Sequence, residues 1–276
     1  MQIPFFYKEI RKRFYKLLGI STSAISFLLY FFEIDKSDKC RTLGLICIGF
    51  FLVYVWIWLR AKSQNKITLK INSSTVEVMF GDIFKENAEL KVIAFNEYFD
   101  TQVDDIIISN NSLNGQYIKR FYQDKVNELD SIISDDTHLA ENKVPAKGIR
   151  KTGKSIKYKL GTICVDSNNY LLTALTHFDS DNKAYLTIND YLDFLFNFWK
   201  EIDRVYAGRT VALPVLGTGI TRFRNYHTTD QELLELILLT FKMSNVKFTY
   251  PAKLKIIVYS GKRNVVNLLR LQDFAD

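Results

Sequence analysis

Four short stretches of the sequence combine residue types suited to holding an anion and a base. The run Ala212–Phe223, ALPVLGTGITRF, leaves the apolar segment Val211–Leu216 and enters a turn on Gly217, Thr218 and Gly219, continued by Ile220, Thr221, Arg222 and Phe223. A pyrophosphate needs several convergent backbone N–H groups and close approach of the main chain. Glycine permits both, because it tolerates φ > 0 and carries no Cβ. Ser112, Leu113, Asn114 and Gly115 stand where a helical apolar pattern begins, so N–H groups there meet the positive end of a helix dipole. Gly81-Asp82-Ile83 marks a turn after a strand, and Asn96 follows the apolar run LKVIAF. A Gly-x-Gly pair alone is a plain turn signal. The inference rests on all four loops together.

The elements that position these loops read as alternating strands and helices. ITLKI and TVEVMF alternate apolar and polar residues, and LKVIAF is continuous, as a strand covered on both faces should be. IIIS (106–109) reads as a short strand, 116–133 as one helix, and 134–159 as an exposed polar hairpin or loop. GTICVD and YLLTALTHF read as paired strands joined at 167–169. Thr187 with Asp190, and Thr229 with Glu232, form capping signals for two helices; KLKIIVYS is a last strand before a closing helix over 264–274. This order predicts an α/β fold, a three-layer α/β/α sandwich with a mixed, largely parallel sheet. In such sheets ligands bind outside the carboxyl ends of the strands, where the four loops fall.

Charge and composition exclude several classes. The chain carries a net +7, but residues 1–70 hold 12 Lys/Arg against 4 Asp/Glu, and the remainder holds 25 against 26. The folded part lacks the basic footprint of a nucleic-acid binder, so no nucleic acid is expected. Cys40, Cys47 and Cys164 show no CxxC spacing, and His138, His177 and His227 are scattered; neither a disulfide framework nor a metal site is expected. No carboxylate–histidine pair stands out, and no catalytic residue is assigned.

The basic excess flanks two uncharged apolar runs, which predict membrane spans at about 16–33 and 42–59. Lys8, Arg11, Lys12, Arg13 and Lys16 precede the first, and Arg60, Lys62, Lys66 and Lys70 follow the second. Both termini are therefore expected in the cytoplasm, with a multi-pass hairpin in the cell membrane. The expected organisation is a transmembrane module over 1–62, a linker over 63–74 and a cytosolic domain over 75–276.

ALPVLGTGI resembles the second phosphate-binding loop of macro domains. Gly81-Asp82-Ile83 resembles the family's early G-D-I, whose Asp binds adenine; VIAFN ends where the family has V-N-A-A-N; and SLNG falls where the first glycine-rich loop belongs. Two apolar segments before such a domain are similar to the transmembrane-macro type of Thoeris anti-phage effectors. That resemblance implies a membrane-anchored effector in abortive infection. A TIR-domain enzyme consumes NAD to make an ADP-ribose derivative, a histidine conjugate in this branch, and the oligomeric effector responds by damaging the bilayer. It implies a ligand and no cofactor. The implied binding set is Asp82, Ile83, Asn96, Ser112–Gly115 and Leu216–Phe223. An ADP-ribosyl hydrolase or a non-signalling reader is the alternative. The chain departs from the family pattern where the first loop has one glycine, where Glu97-Tyr98-Phe99 follows Asn96, and where three residues separate Gly219 from Phe223. These departures favour a sensor over an enzyme, with Arg222 and Arg224 as candidate phosphate contacts.

Overall fold

The computed structural model describes residues 3–32, 35–145, 150, 152–219 and 221–276. Two helices, α1 (Lys8–Phe31) and α2 (Lys39–Lys62), precede the strands β1 (Lys66–Ile71), β2 (Ser74–Gly81) and β3 (Leu90–Asn96). Helices α3 (Leu113–Tyr122), α4 (Val126–Asp135) and α5 (Thr137–Glu141) follow, then the two-residue strands β4 (Lys143–Val144) and β5 (Lys157–Tyr158). The chain continues through β6 (Ile163–Val165), β7 (Tyr170–Phe178), β8 (Ala184–Leu186), α6 (Ile188–Val205), β9 (Val211–Pro214), β10 (Arg222–Phe223), α7 (Asp230–Met243) and β11 (Leu254–Tyr259).

Among the described residues the main sheet has nine strands, in the order β1-β2-β11-β9-β3-β7-β8-β10 with β6 on β7. The central pairs β2–β11, β11–β9, β9–β3 and β3–β7 are parallel; β1–β2, β6–β7 and β7–β8 are antiparallel. Alternation along the central strands separates two cores. Val92 and Leu171 face the layer of α6 and α7, whereas their neighbours Ile93 and Leu172 face α3, α4 and α5. The result is the expected three-layer sandwich. Both capping boxes form: Thr187 accepts from the Asp190 N–H and Thr229 from the Glu232 N–H, with each acid reaching back to its cap.

Several expectations need correction. Strand β1 starts at Lys66 and pairs with β2 along its whole length, so most of the presumed linker belongs to the sheet. The segment IIIS is no strand beyond an isolated bridge between Val103 and Ile108. Asp104 accepts from the N–H groups of Ile106 and Ile107 and turns the chain there. The helical pattern over 116–133 is two helices, and the polar stretch after it begins with α5 before the antiparallel β4–β5 pair, which fits the expected hairpin. The closing element is a 3₁₀ segment, Leu268–Phe274, started by Asn267, whose side chain accepts from the Leu269 N–H.

The two N-terminal helices are long and apolar enough to cross a membrane. They pack on each other through Ile10 and Phe14 against Tyr54 and Ile57, and Leu269 of the closing segment joins this cluster. Residues 3–7 fold back on α2, where the Tyr54 hydroxyl donates to the Phe5 carbonyl at 2.7 Å. Trp56 lies beneath Arg60 and Trp58 beneath Lys62, the aromatic and basic mixture favoured at a lipid–water boundary.

Candidate ligand-binding site

The carboxyl ends of β2, β3, β9 and β11 open into one cavity of about 630 Å³. Strand order brings these ends together, although they are far apart in the sequence. A β-bulge between Phe95 and Asn96 shifts the register against β7 at the cavity floor. A separate cleft of about 640 Å³ lies between residues 100–103 and α3–α4. There the Oδ1 oxygen of Asp130 is taken by Lys154 and the Thr101 hydroxyl.

At one end of the cavity stand Asp82 and Ile83. One Asp82 oxygen, Oδ1, accepts from the Phe84 N–H at 3.0 Å and caps a short 3₁₀ turn over Ile83–Lys85. Phe84, Ile257, Tyr259 and Lys262 close this end, and the Lys262 ammonium is paired with Asp230 at 2.8 Å.

The first loop is held by its own hydrogen bonds. The Ser112 hydroxyl donates to the Ser109 carbonyl at 2.7 Å and accepts from the Gly115 N–H at 3.0 Å. That N–H is therefore spent on the helix cap, and Gly115 itself does not line the cavity. A Cβ on Gly115 would fall well inside contact distance of the Ser109 carbonyl oxygen, so the glycine is there for close packing of α3 on its loop. The N–H groups of Leu113 and Asn114, in the first turn of α3, have no partner within the helix. Asn114 lines the cavity, is 8% exposed, and its Oδ1 has no partner among the described residues. A buried acceptor in that condition costs free energy until a donor reaches it.

Asn96 lines the cavity with its polar groups turned into its own turn. Its Oδ1 accepts from the N–H of Tyr98 at 2.9 Å and of Asp100 at 3.3 Å, and its amide donates to Asp100 at 2.9 Å. Asp100 is also paired with Arg150 at 2.7 Å. Behind this turn, buried Glu97 meets His177 and Lys157, a carboxylate–histidine pair that the sequence hides by 80 residues of separation. Neither Glu97 nor His177 lines the cavity.

The second loop contributes Leu216, Gly217, Thr218, Gly219 and Thr221 to the wall; Ile220 lies outside the described residues. Gly217 has φ +88° and a Cβ there would face Tyr191, Leu233 and Phe223 in the core. Gly219 has open space around it. Arg222 and Phe223 do not line the cavity: they form β10 on the edge of β8, and Phe223 packs edge-on against Tyr191. Arg224 lies over the Tyr185 ring and pairs with Asp179 at 3.6 Å, engaged away from the loop. The cavity also takes residues that the sequence reading missed, including Asn111, Gln116, Thr176 and Phe178. Thr176 and Phe178 sit at the end of β7, a parallel neighbour whose antiparallel flank obscures it in the sequence.

The chain is similar to several known proteins. A family model described as Thoeris protein ThsA, Macro domain, matches residues 76–259. Thoeris protein ThsA of Bacillus amyloliquefaciens (strain Y2) is 40% identical over 264 residues, covering 94% of this chain and 86% of that protein. The Oceanobacillus iheyensis macrodomain with ADP aligns at 13% identity and TM-score 0.47, over 72% of this chain and 90% of that one. The macrodomain of Mycobacterium tuberculosis DarG aligns at 14% and 0.37, over 66% and 97%. The two solved structures are too distant to add to the assignment, which rests on the family match and the Bacillus relative: the chain belongs to the Thoeris ThsA macro-domain family.

Proposed function

We propose that this protein is a membrane-anchored sensor in TIR-dependent anti-phage defence, whose cavity binds an ADP-ribose derivative made by a partner TIR enzyme. The carrying observation is the cavity itself. It joins a glycine turn after β9, the free N–H groups at the start of α3, and Asn114, whose Oδ1 is unpartnered and closed off from solvent. Backbone N–H groups suit a diphosphate, and a small shift of the Asn114 side chain would bring its lone acceptor to a ribose hydroxyl. Asp82, with one oxygen outside the cap, suits an exocyclic adenine amine. The histidine conjugate is the favoured ligand.

The sensor reading is preferred to a hydrolase reading because the Asn96 side chain is engaged with Tyr98 and Asp100. An amide held in that way is not free to orient a water or a ribose. Signalling then requires the ligand to favour one arrangement of the helices, since a ligand shifts an equilibrium only by binding one state more tightly. Two routes join the cavity to α1 and α2. One is covalent, through residues 63–65 into β1 and β2. The other runs through Tyr259 and Lys262 at the cavity to Arg263, which lies over Phe80 and donates to Asn65, and on to Leu269 against Ala61. The helices are proposed to cross the cell membrane with both termini in the cytoplasm, and copies of the chain to assemble and disrupt the bilayer.

The test is dye release from liposomes holding the full-length protein, on addition of ADP-ribose, its histidine conjugate, or adenosine. Release with an ADP-ribose derivative and none with adenosine is expected. Equal leakage with and without ligand would contradict the sensor reading. Release of free ADP-ribose from the conjugate would favour the hydrolase.

A further inference from the structure

Tyr191, in the first turn of α6, is wholly buried and reaches the second loop from 25 residues away. Its hydroxyl donates to the Leu216 carbonyl at 2.9 Å. Its ring stacks on Phe194 and receives Phe223 edge-on, and a Cβ on Gly217 would lie 3.4 Å from its Cε2. One residue before Leu216, the Val215 carbonyl accepts from the Thr218 hydroxyl at 2.9 Å. Both carbonyls that enter the turn are thus occupied by hydroxyl donors.

A trans peptide points its C=O and N–H in opposite directions. With the Leu216 carbonyl drawn onto Tyr191 in the core, the Gly217 N–H faces the other way, toward the wall that Leu216, Gly217 and Thr218 give the cavity. An anion is attracted by N–H groups and repelled by carbonyl lone pairs, so the sense of this one peptide decides whether the turn receives a phosphate. Gly217 cannot decide it alone, because glycine accepts φ of either sign. The buried hydroxyl supplies the constraint.

We infer that Tyr191 is a positioning residue for diphosphate recognition, its hydroxyl fixing the Leu216–Gly217 peptide with the N–H toward the cavity. This rests on the nucleotide reading of the cavity proposed above. Burial also pushes the Tyr191 phenol above its ordinary range, so it stays protonated and a donor at any working pH. The sequence hides the role: an apolar helical face with a tyrosine reads as core packing.

Tyr191→Phe keeps the ring contacts and leaves the Leu216 carbonyl buried without its donor. The peptide relieves this by turning its oxygen toward the cavity. The full-length protein in detergent, as parent and Y191F, is titrated calorimetrically with ADP-ribose and with adenosine, alongside a thermal melt. ADP-ribose binding is expected to weaken about tenfold, which is about 1.4 kcal/mol, while adenosine binding stays unchanged. A role in packing alone would lower the melting temperature without separating the two ligands. Unchanged ADP-ribose affinity, or equal loss for both ligands, overturns the positioning role. A parent protein that binds no ADP-ribose overturns the nucleotide reading and this assignment with it.

Discussion

In the first turn of α3, Gly115 has no left-handed φ and no room for a Cβ; in the loop after β9, Gly217 has room for a Cβ but a φ of +88°. Both glycines looked alike in the sequence, as residues that let a phosphate approach. They differ in what they do. Gly115 lets one piece of backbone lie on another and gives its N–H to the Ser112 cap. Gly217 holds a conformation that L side chains avoid and lets Tyr191 set the direction of the preceding peptide. The first loop is fixed by steric fit, the second by a dihedral angle and one buried hydroxyl.

Substitutions can break that contrast. Gly115→Ala should have the largest effect, about 3 kcal/mol in a denaturant titration, because the clash is with backbone that cannot step aside. Gly217→Ala should cost about 1–2 kcal/mol, the penalty of a left-handed residue, since its Cβ meets only ordinary contacts. An equal loss in the two variants would erase the distinction between the loops. This also corrects the simplest expectation for Gly217: a side chain there points into the core and not at the pyrophosphate, so any loss of binding would come through the loop's conformation.

A carboxylate outside both loops provides a control with its own pH signature. Burial alone would raise the Glu77 carboxyl, but hydrogen bonds from Lys66 at 2.9 Å and Lys253 at 3.1 Å outweigh it and hold it below its ordinary value of 4.5. A depressed folded-state value means that its stabilisation is present above the unfolded value and lost as pH falls through the folded one. Glu77→Gln should therefore cost about 1 kcal/mol at neutral pH, and the gap to the parent should close in acid. A gap that widened in acid would contradict the assignment of those two lysines. Smallest of all, Gly219→Ala should leave stability within about 0.5 kcal/mol, because nothing approaches the added Cβ. A large loss there would mean that the turn is more tightly packed than its open surroundings indicate.

What was legible in the sequence was local. The Thr187 and Thr229 caps depend on residues three apart, and the buried strands announce themselves by apolar runs. Strand ends followed by Gly, Asn or Asp located part of the cavity wall, the loops after β2, β3 and β9 and the start of α3. What stayed hidden depends on distant partners. Tyr259 and Lys262 enter the cavity because β11 sits between β2 and β9, an order that no local pattern encodes. Arg222 and Phe223 look like an extension of the loop until β8 offers an edge to pair with. Asn96 looks like a ligand contact until Tyr98 and Asp100 claim its side chain. Strand β1 itself was legible, since the alternation in ITLKI marks it; what local pattern does not give is that its pairing with β2 makes it part of the sheet and not of a linker.

The most direct test of the account is a calorimetric titration of the full-length protein in detergent with ADP-ribose and with its histidine conjugate. The account predicts saturable one-site binding of the conjugate, at least as tight as that of ADP-ribose, and weakening of both when the unpartnered acceptor is removed in Asn114→Ala. No binding of either ligand by the folded protein, or full affinity in the Asn114 variant, would contradict it.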